Sequence, residues 1–200
     1  MKRFIITCLF VAISLITNNA SATTISFDDL SAPATFSGTY PLTDQYASLG
    51  VIFSGPVNGY GGAVLSQAGN FGVTPHSGSN FLAFNREGYA VDPETLTFTS
   101  LVNSVSIYAA GGQAYDNFIM RAFDSSRNLL ATDTVFTWGW DLLSVSATGI
   151  KYVDLIQQGD NAFVYDDLSF SAAAVPEPST FLLFGIGLLG AGLLRRKAKA

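Results

Sequence analysis

Between Thr23 and Ala174 apolar and polar residues alternate in short stretches with a period of two, and helical periodicity is absent. No other feature constrains the fold as tightly. Successive side chains of a strand point to opposite faces, whereas those of a helix recur about every 3.6 residues. Ten runs read as strands: TISF, GVIFS, NFLAF, TLTFTS, NSVSIYA, NFIMRAF, TVFTW, DLLSVSA, KYVDLIQ and FVYDDLSF. They are separated by clusters of Gly, Asn, Asp, Ser and Pro, which end strands and form turns. In TLTFTS, Leu96 and Phe98 alternate with threonines, and in NSVSIYA, Val105 and Ile107 alternate with serines. Each such strand has one buried and one wet face, as in antiparallel sheets. So many short strands at near-regular spacing predict an all-β domain, an antiparallel β-sandwich of jelly-roll-like topology. DSSRN, Asp124 to Asn128, is the expected hairpin loop between two of them.

Both ends depart from this pattern. Lys2 and Arg3 precede an apolar run from Phe4 to Ile16, and Ala20-Ser21-Ala22 follows. Charged start, short apolar stretch and small-residue cleavage site describe a secretory signal peptide over residues 1–22. The only cysteine, Cys8, lies inside it, so the exported part has neither a thiol nor a disulfide. From 23 to 174 the chain carries four cations, Arg86, Arg121, Arg127 and Lys151, against fourteen carboxylates, a net charge of −10. A domain so acidic is repelled by phosphate backbones, which argues against nucleic acid as a partner.

At the other end, fourteen consecutive apolar or glycine residues run from Phe181 to Leu194. As a helix they span about 21 Å, short of the ~30 Å hydrocarbon core. Ser179, Thr180 and snorkelling arginines bring a helix of about 180–194 close to crossing. Arg195, Arg196, Lys197 and Lys199 follow at once, which places this end in the cytoplasm and the acidic domain on the far side. Before the helix, Pro176 and Pro178 bracket Glu177 and hold the chain extended, a form that a protease can grip.

Val175, Pro176, Glu177, Pro178 and Ser179, then a glycine-rich apolar helix, then Arg195, Arg196 and Lys197 resemble the PEP-CTERM sorting signal of Gram-negative bacteria. The resemblance covers residues 175–200. It implies an inner-membrane-anchored precursor, an exosortase as partner, removal of the tail, and delivery to the cell surface or extracellular matrix.

The first and last strands of the domain echo each other: Phe27-Asp28-Asp29-Leu30 and Tyr165-Asp166-Asp167-Leu168. Regular alternation puts Asp29 on the face of Ile25 and Phe27, and Asp166 on the face of Leu168 and Phe170. A carboxylate on a core face must be paired, hydrogen-bonded or metal-bound. Terminal strands of a jelly roll are often neighbours, so Asp29 and Asp166 are candidate ligands of one structural Ca²⁺. The alternative is that these carboxylates accept backbone N–H bonds. No EF-hand, zinc or phosphate-loop spacing is present.

The last strand is also similar to that of carbohydrate-binding jelly rolls of the galactose-binding-like kind. That resemblance implies sugar rings stacked on aromatic side chains. Tyr60 and Tyr115, in glycine-rich loops, are the candidate ligand-binding residues, with Tyr89 as a further aromatic. Trp138 and Trp140, two apart, are expected to share a face, and that face is expected to be core. His76 in TPHSGSN has serines beside it, but no G-x-S-x-G elbow accompanies it, and Glu87 and Glu94 both flank turn-like sequence. The expectation is an exported, non-enzymatic surface protein, structural or polysaccharide-binding. The alternative is a secreted glycan-active hydrolase on a β-sandwich scaffold.

Overall fold

A computed structural model of the chain describes residues 22–56, 59–66, 71–85, 93–112, 114–159 and 162–172. All fall in a compact unit that runs from Ala20 to Ala173. The described residues form nine strands: β1 (Ala22–Ile25), β2 (Val51–Ser54), β3 (Ala63–Ser66), β4 (Asn80–Asn85), β5 (Glu94–Ala110), β6 (Asp116–Phe123), β7 (Leu129–Thr137), β8 (Asp141–Gln158) and β9 (Ala162–Ala172). A single 3₁₀ turn at Ala47–Leu49 is the sole helical element among them. Every pairing is antiparallel. Among the described residues no helix is long and apolar enough to cross a membrane; residues 1–21 of the expected signal peptide and the expected helix at about 180–194 lie outside them.

The hydrogen-bonded order is β3-β4-β9-β5-β8-β6-β7, with β1 added to β9 and β2 to β5. Two long strands carry the chain across the fold. The TLTFTS and NSVSIYA runs belong to one strand, β5, and DLLSVSA and KYVDLIQ to another, β8. In β5 the register shifts between Thr97 and Val102 and again before Ser104, where Thr99, Ser100 and Leu101 are exposed. Before these shifts β5 pairs with β2, and from Val102 onward with β9. Such irregularities bend a strand and let it pass from one layer to the other.

That the sheet folds over itself follows from its core. β9 and β6 are separated by β5 and β8, three steps or about 14 Å in a flat sheet. Yet the Phe118 ring of β6 lies 6.1 Å from Phe163 and 5.8 Å from Tyr165 of β9, centroid to centroid. The two halves therefore pack face to face, as in a β-sandwich, around a cluster that includes Phe27, Phe53, Phe84, Phe98, Phe118, Phe163 and Tyr165. A second, smaller cluster of Leu65, Phe71, Phe81, Ala83, Ala110 and Val164 lies on the other face of β3, β4 and β9. It explains why β3 gives no strand signal. Val64 faces the first cluster and Leu65 the second, so the run is apolar without alternation.

The DSSRN hairpin forms as its composition predicts. Asp124 accepts bonds from the amides of Ser126 and Asn128 and from the Asn128 side chain, at 2.8, 2.9 and 2.9 Å. These bonds hold the Asp124 carboxyl below the usual carboxylate range.

Candidate functional site

The paired Asp-Asp motifs converge on one loop, His76 to Asn80, in TPHSGSN. Asp28 Oδ1 accepts the amides of Ser79 (2.7 Å) and Asn80 (3.0 Å). Asp166 Oδ2 accepts those of His76 (2.9 Å) and Ser77 (3.1 Å), while its Oδ1 accepts the amide of Asp167 (2.8 Å). Asp167 completes the clamp, taking Ser77 Oγ and contacting His76 Nδ1, both at 2.6 Å. The His76 ring lies flat on Tyr108, centroids 3.7 Å apart, with Trp140 edge-on at 5.8 Å. Trp140 Nε1 donates to Thr74 O (2.9 Å) and ties down the start of the same loop. Gly78 sits at φ +53 against Asp28, where any Cβ would collide with the carboxylate.

Both motifs owe this geometry to a left-handed residue: Phe27 at φ +63 and Asp167 at φ +51. In β9 the register shifts there, with Tyr108 opposite Asp166 but Ser106 opposite Ser169. That bulge changes the phase of the strand, so Phe163 and Tyr165 before it and Leu168 and Phe170 after it face the same core. Asp166 is buried (0% exposed), but on the opposite side from Leu168, contrary to the alternation. Asp29 also departs from expectation. It is exposed and accepts the Tyr46 hydroxyl at 2.7 Å, and burial together with Asp29 pushes that phenol up.

Asp29 and Asp166 thus have partners on different segments. At Asp166 amide hydrogens take three of the carboxylate's four lone-pair positions, as in the alternative of backbone N–H bonds. Among the described residues no group of three or more His, Cys, Asp or Glu side chains converges as metal ligands. Burial pushes Asp166 up to about 6 in spite of its amide bonds. Burial also acts to raise Asp28, but there the bonds from Ser79, Asn80 and Ser26 prevail and hold it low. His76 and Ser77 share one carboxylate, and the serine hydroxyl is directed to Asp167 rather than to the imidazole.

A second feature lies where β6 begins and β7 ends. Tyr115 (67% exposed) and Phe136 (68%) stack with centroids 5.4 Å apart, and Trp138 (49%) continues the alternation beyond the end of β7. The core expectation therefore fails for Trp138, and Trp140 is only half-buried against the smaller cluster. The reason lies in TVFTW itself: Val135 packs on the core, which turns Phe136 and Trp138 outward. The signal was in the sequence, overridden by the general tendency of aromatics to be inside. Tyr60 is exposed as expected and makes no ring contact among the described residues, so it stands apart from this group. Tyr89 and Glu87 lie outside the described residues, as do Val175 to Ser179 and Arg195 to Lys197 of the sorting motif.

Glu94, expected beside a turn, is instead buried at the start of a strand. Glu94 opens β5 and is 1% exposed, and neither carboxylate oxygen has a hydrogen-bond partner. Burial pushes its pKa well up; the Gly62 amide opposes the rise without completing a bond. Gly61 makes room for it, since a Cβ there would strike Glu94 Oε1.

The geometry so far defines an acidic β-sandwich with a clamped loop and an outward aromatic group. Residues 174–197 match the PEP-CTERM protein-sorting motif, which marks a secreted, exosortase-processed surface protein. No curated protein matches the chain. Among solved structures it is similar to the K2 cleaved adhesin domain of Lys-gingipain, with 17% identity, 75% of this chain and 99% of that one covered, and a TM-score of 0.48. It is similar also to a DUF4465 family protein from Bacteroides caccae (11%, 80% and 96%, 0.44) and to the xylan-binding domain from CBM 22 (18%, 68% and 96%, 0.41). Likenesses this distant carry no functional weight.

Proposed function

We propose that the protein is a non-enzymatic, polysaccharide-binding component of the cell surface or extracellular matrix of a Gram-negative bacterium. In this reading, residues 1–22 direct export and are removed. The jelly-roll-like domain of residues 23–174 lies outside the inner membrane. A helix at about 180–194 anchors the precursor until an exosortase processes it at 175–200. The carrying observation is the exposed group of Tyr115, Phe136 and Trp138 on a chain that bears a surface-sorting motif. Large aromatics left in solvent together mark a contact surface, and rings with a polar edge suit partners that are apolar on one face and hydroxylated at the rim. Support for binding over hydrolysis comes from the carboxylates: Asp28, Asp166 and Asp167 are all engaged by the 76–80 loop.

The test is co-sedimentation with insoluble and matrix polysaccharides. The parent protein is expected to sediment with at least one of them. Phe136→Ala combined with Trp138→Ala is expected to stay in the supernatant with an unchanged circular dichroism spectrum. Equal retention of the double variant sinks the aromatic site. No retention of the parent by any polysaccharide leaves a purely structural surface protein.

A further inference from the structure

Directly paired residues of neighbouring strands share a face, so the register fixes what surrounds the aromatic group. Phe136 of β7 is opposite Asn117 of β6, Thr134 is opposite Ile119, and Thr132 is opposite Arg121. On the other side of β6, Asn117, Ile119 and Arg121 face Gln158, Ile156 and Asp154 of β8. One face of the sheet therefore leads from the aromatics, past the Asn117–Gln158 amide pair (3.1 Å) and the buried Ile119, to Arg121. Asn117 and Arg121 are four residues apart on one strand, about 14 Å.

Arg121 is exposed, and among the described residues no ion pair, hydrogen bond or ring contact engages it. Its cross-strand neighbour Asp154 is already taken. Arg127 Nη1 reaches the two Asp154 oxygens at 2.9 and 3.2 Å, and Thr95 Oγ1 adds a bond of 2.8 Å. The Arg127 guanidinium is held in that position by the Tyr152 ring, 4.2 Å from its centroid. Asp124, nearby in the hairpin, turns its carboxylate into its own loop. Asp133, on the alternate face of β7, caps the amide of Ser144. Among the described residues, the charged groups of this outer surface are thus one neutralised pair and one free cation. In a domain of net charge −10, Arg121 is the cation of that surface whose charge no described carboxylate pairs with.

We propose that Arg121 recognises an anionic substituent, and that the ligand is a sparsely acidic polysaccharide. One sugar stacks on Phe136 and Trp138, and a carboxylate-bearing unit a few pyranose rings along the chain meets the Arg121 guanidinium. The acidity of the whole domain repels a densely charged polymer, while the free arginine rewards an isolated acid. This rests on the polysaccharide-binding reading above and names the chemical class that the same surface selects.

The experiment compares binding of the full chain, in non-ionic detergent, to xanthan, gellan and alginate, each beside its carboxyl-reduced form, by calorimetry. The parent is expected to bind at least one native polymer about tenfold more tightly than its reduced form, as a charge-assisted hydrogen bond allows. Added salt should erode that ratio. Arg121→Gln is expected to bring the two affinities together, Arg121→Lys to keep part of the difference, and Phe136→Ala to weaken both. A preference for the native polymer that survives Arg121→Gln overturns the inference, and so does equal binding of both forms by the parent, which leaves the polysaccharide reading intact. Binding of no polymer in either form overturns both.

Discussion

Glu94 should give the molecule an acid-side stability that fades as pH rises. Its carboxyl is enclosed without a hydrogen-bond partner, and burial favours the neutral form, so the folded state keeps a proton that the unfolded chain releases near the ordinary value of 4.5. With the folded pKa above the unfolded one, the contribution is complete at low pH and is lost as pH rises, until the folded carboxyl itself ionises. A carboxyl that stays protonated in the folded state through pH 6 removes about 1.2 kcal/mol between pH 5 and pH 6. A domain of about 150 residues has an unfolding entropy near 0.3 kcal/mol/K, so this corresponds to about 4 °C in Tm. Asp166, raised to about 6, adds a slope of the same sign, which makes the parent curve alone ambiguous. Glu94→Gln removes one titration and leaves the other. Thermal melts of parent and variant at pH 5 and pH 6 should therefore differ in slope, with the parent losing about 4 °C more. The absolute Tm of the variant is not diagnostic, because a buried glutamine also lacks partners. Parallel curves would refute the reasoning: Glu94 would then be ionised in the folded state.

Two other outcomes follow from named contacts, and a third from the sorting motif. Asp166→Ala leaves three amides without their acceptor and should cost about 3 kcal/mol in urea denaturation, while Asp29→Ala, which loses only the Tyr46 hydroxyl, should cost about 1 kcal/mol. Phe163→Ala in the core should lose about 3–5 kcal/mol, whereas Trp138→Ala should stay within about 0.5 kcal/mol of the parent; a large loss for Trp138 would place its ring inside. In a sorting-competent host, Glu177→Ala should accumulate as unprocessed precursor; mass spectrometry that finds the parent and the variant processed alike would detach Glu177 from recognition.

Features that depend on local pattern were legible in the residues alone. Period-two alternation announced the strands, Asp124 to Asn128 announced their hairpin, and the order of Pro-Glu-Pro, apolar run and basic end announced the sorting motif at 174–197. Each is read over a few neighbouring residues, where turn chemistry and side-chain alternation act directly. Where alternation is interrupted, and which strands lie side by side, depends on contacts between distant parts of the chain. One left-handed residue, Phe27 or Asp167, shifts the phase of everything beyond it, so Asp29 turns out to Tyr46 and Asp166 turns away from Leu168. The continuity of β5 and β8 through their bends could not be read from runs that look like separate strands. Nor could the freedom of Arg121. It depends on Arg127, six residues away across a hairpin, having claimed Asp154 on a third strand. Charge composition counts the cations of a chain, but only the pairing of strands decides which of them remains unpaired at the surface.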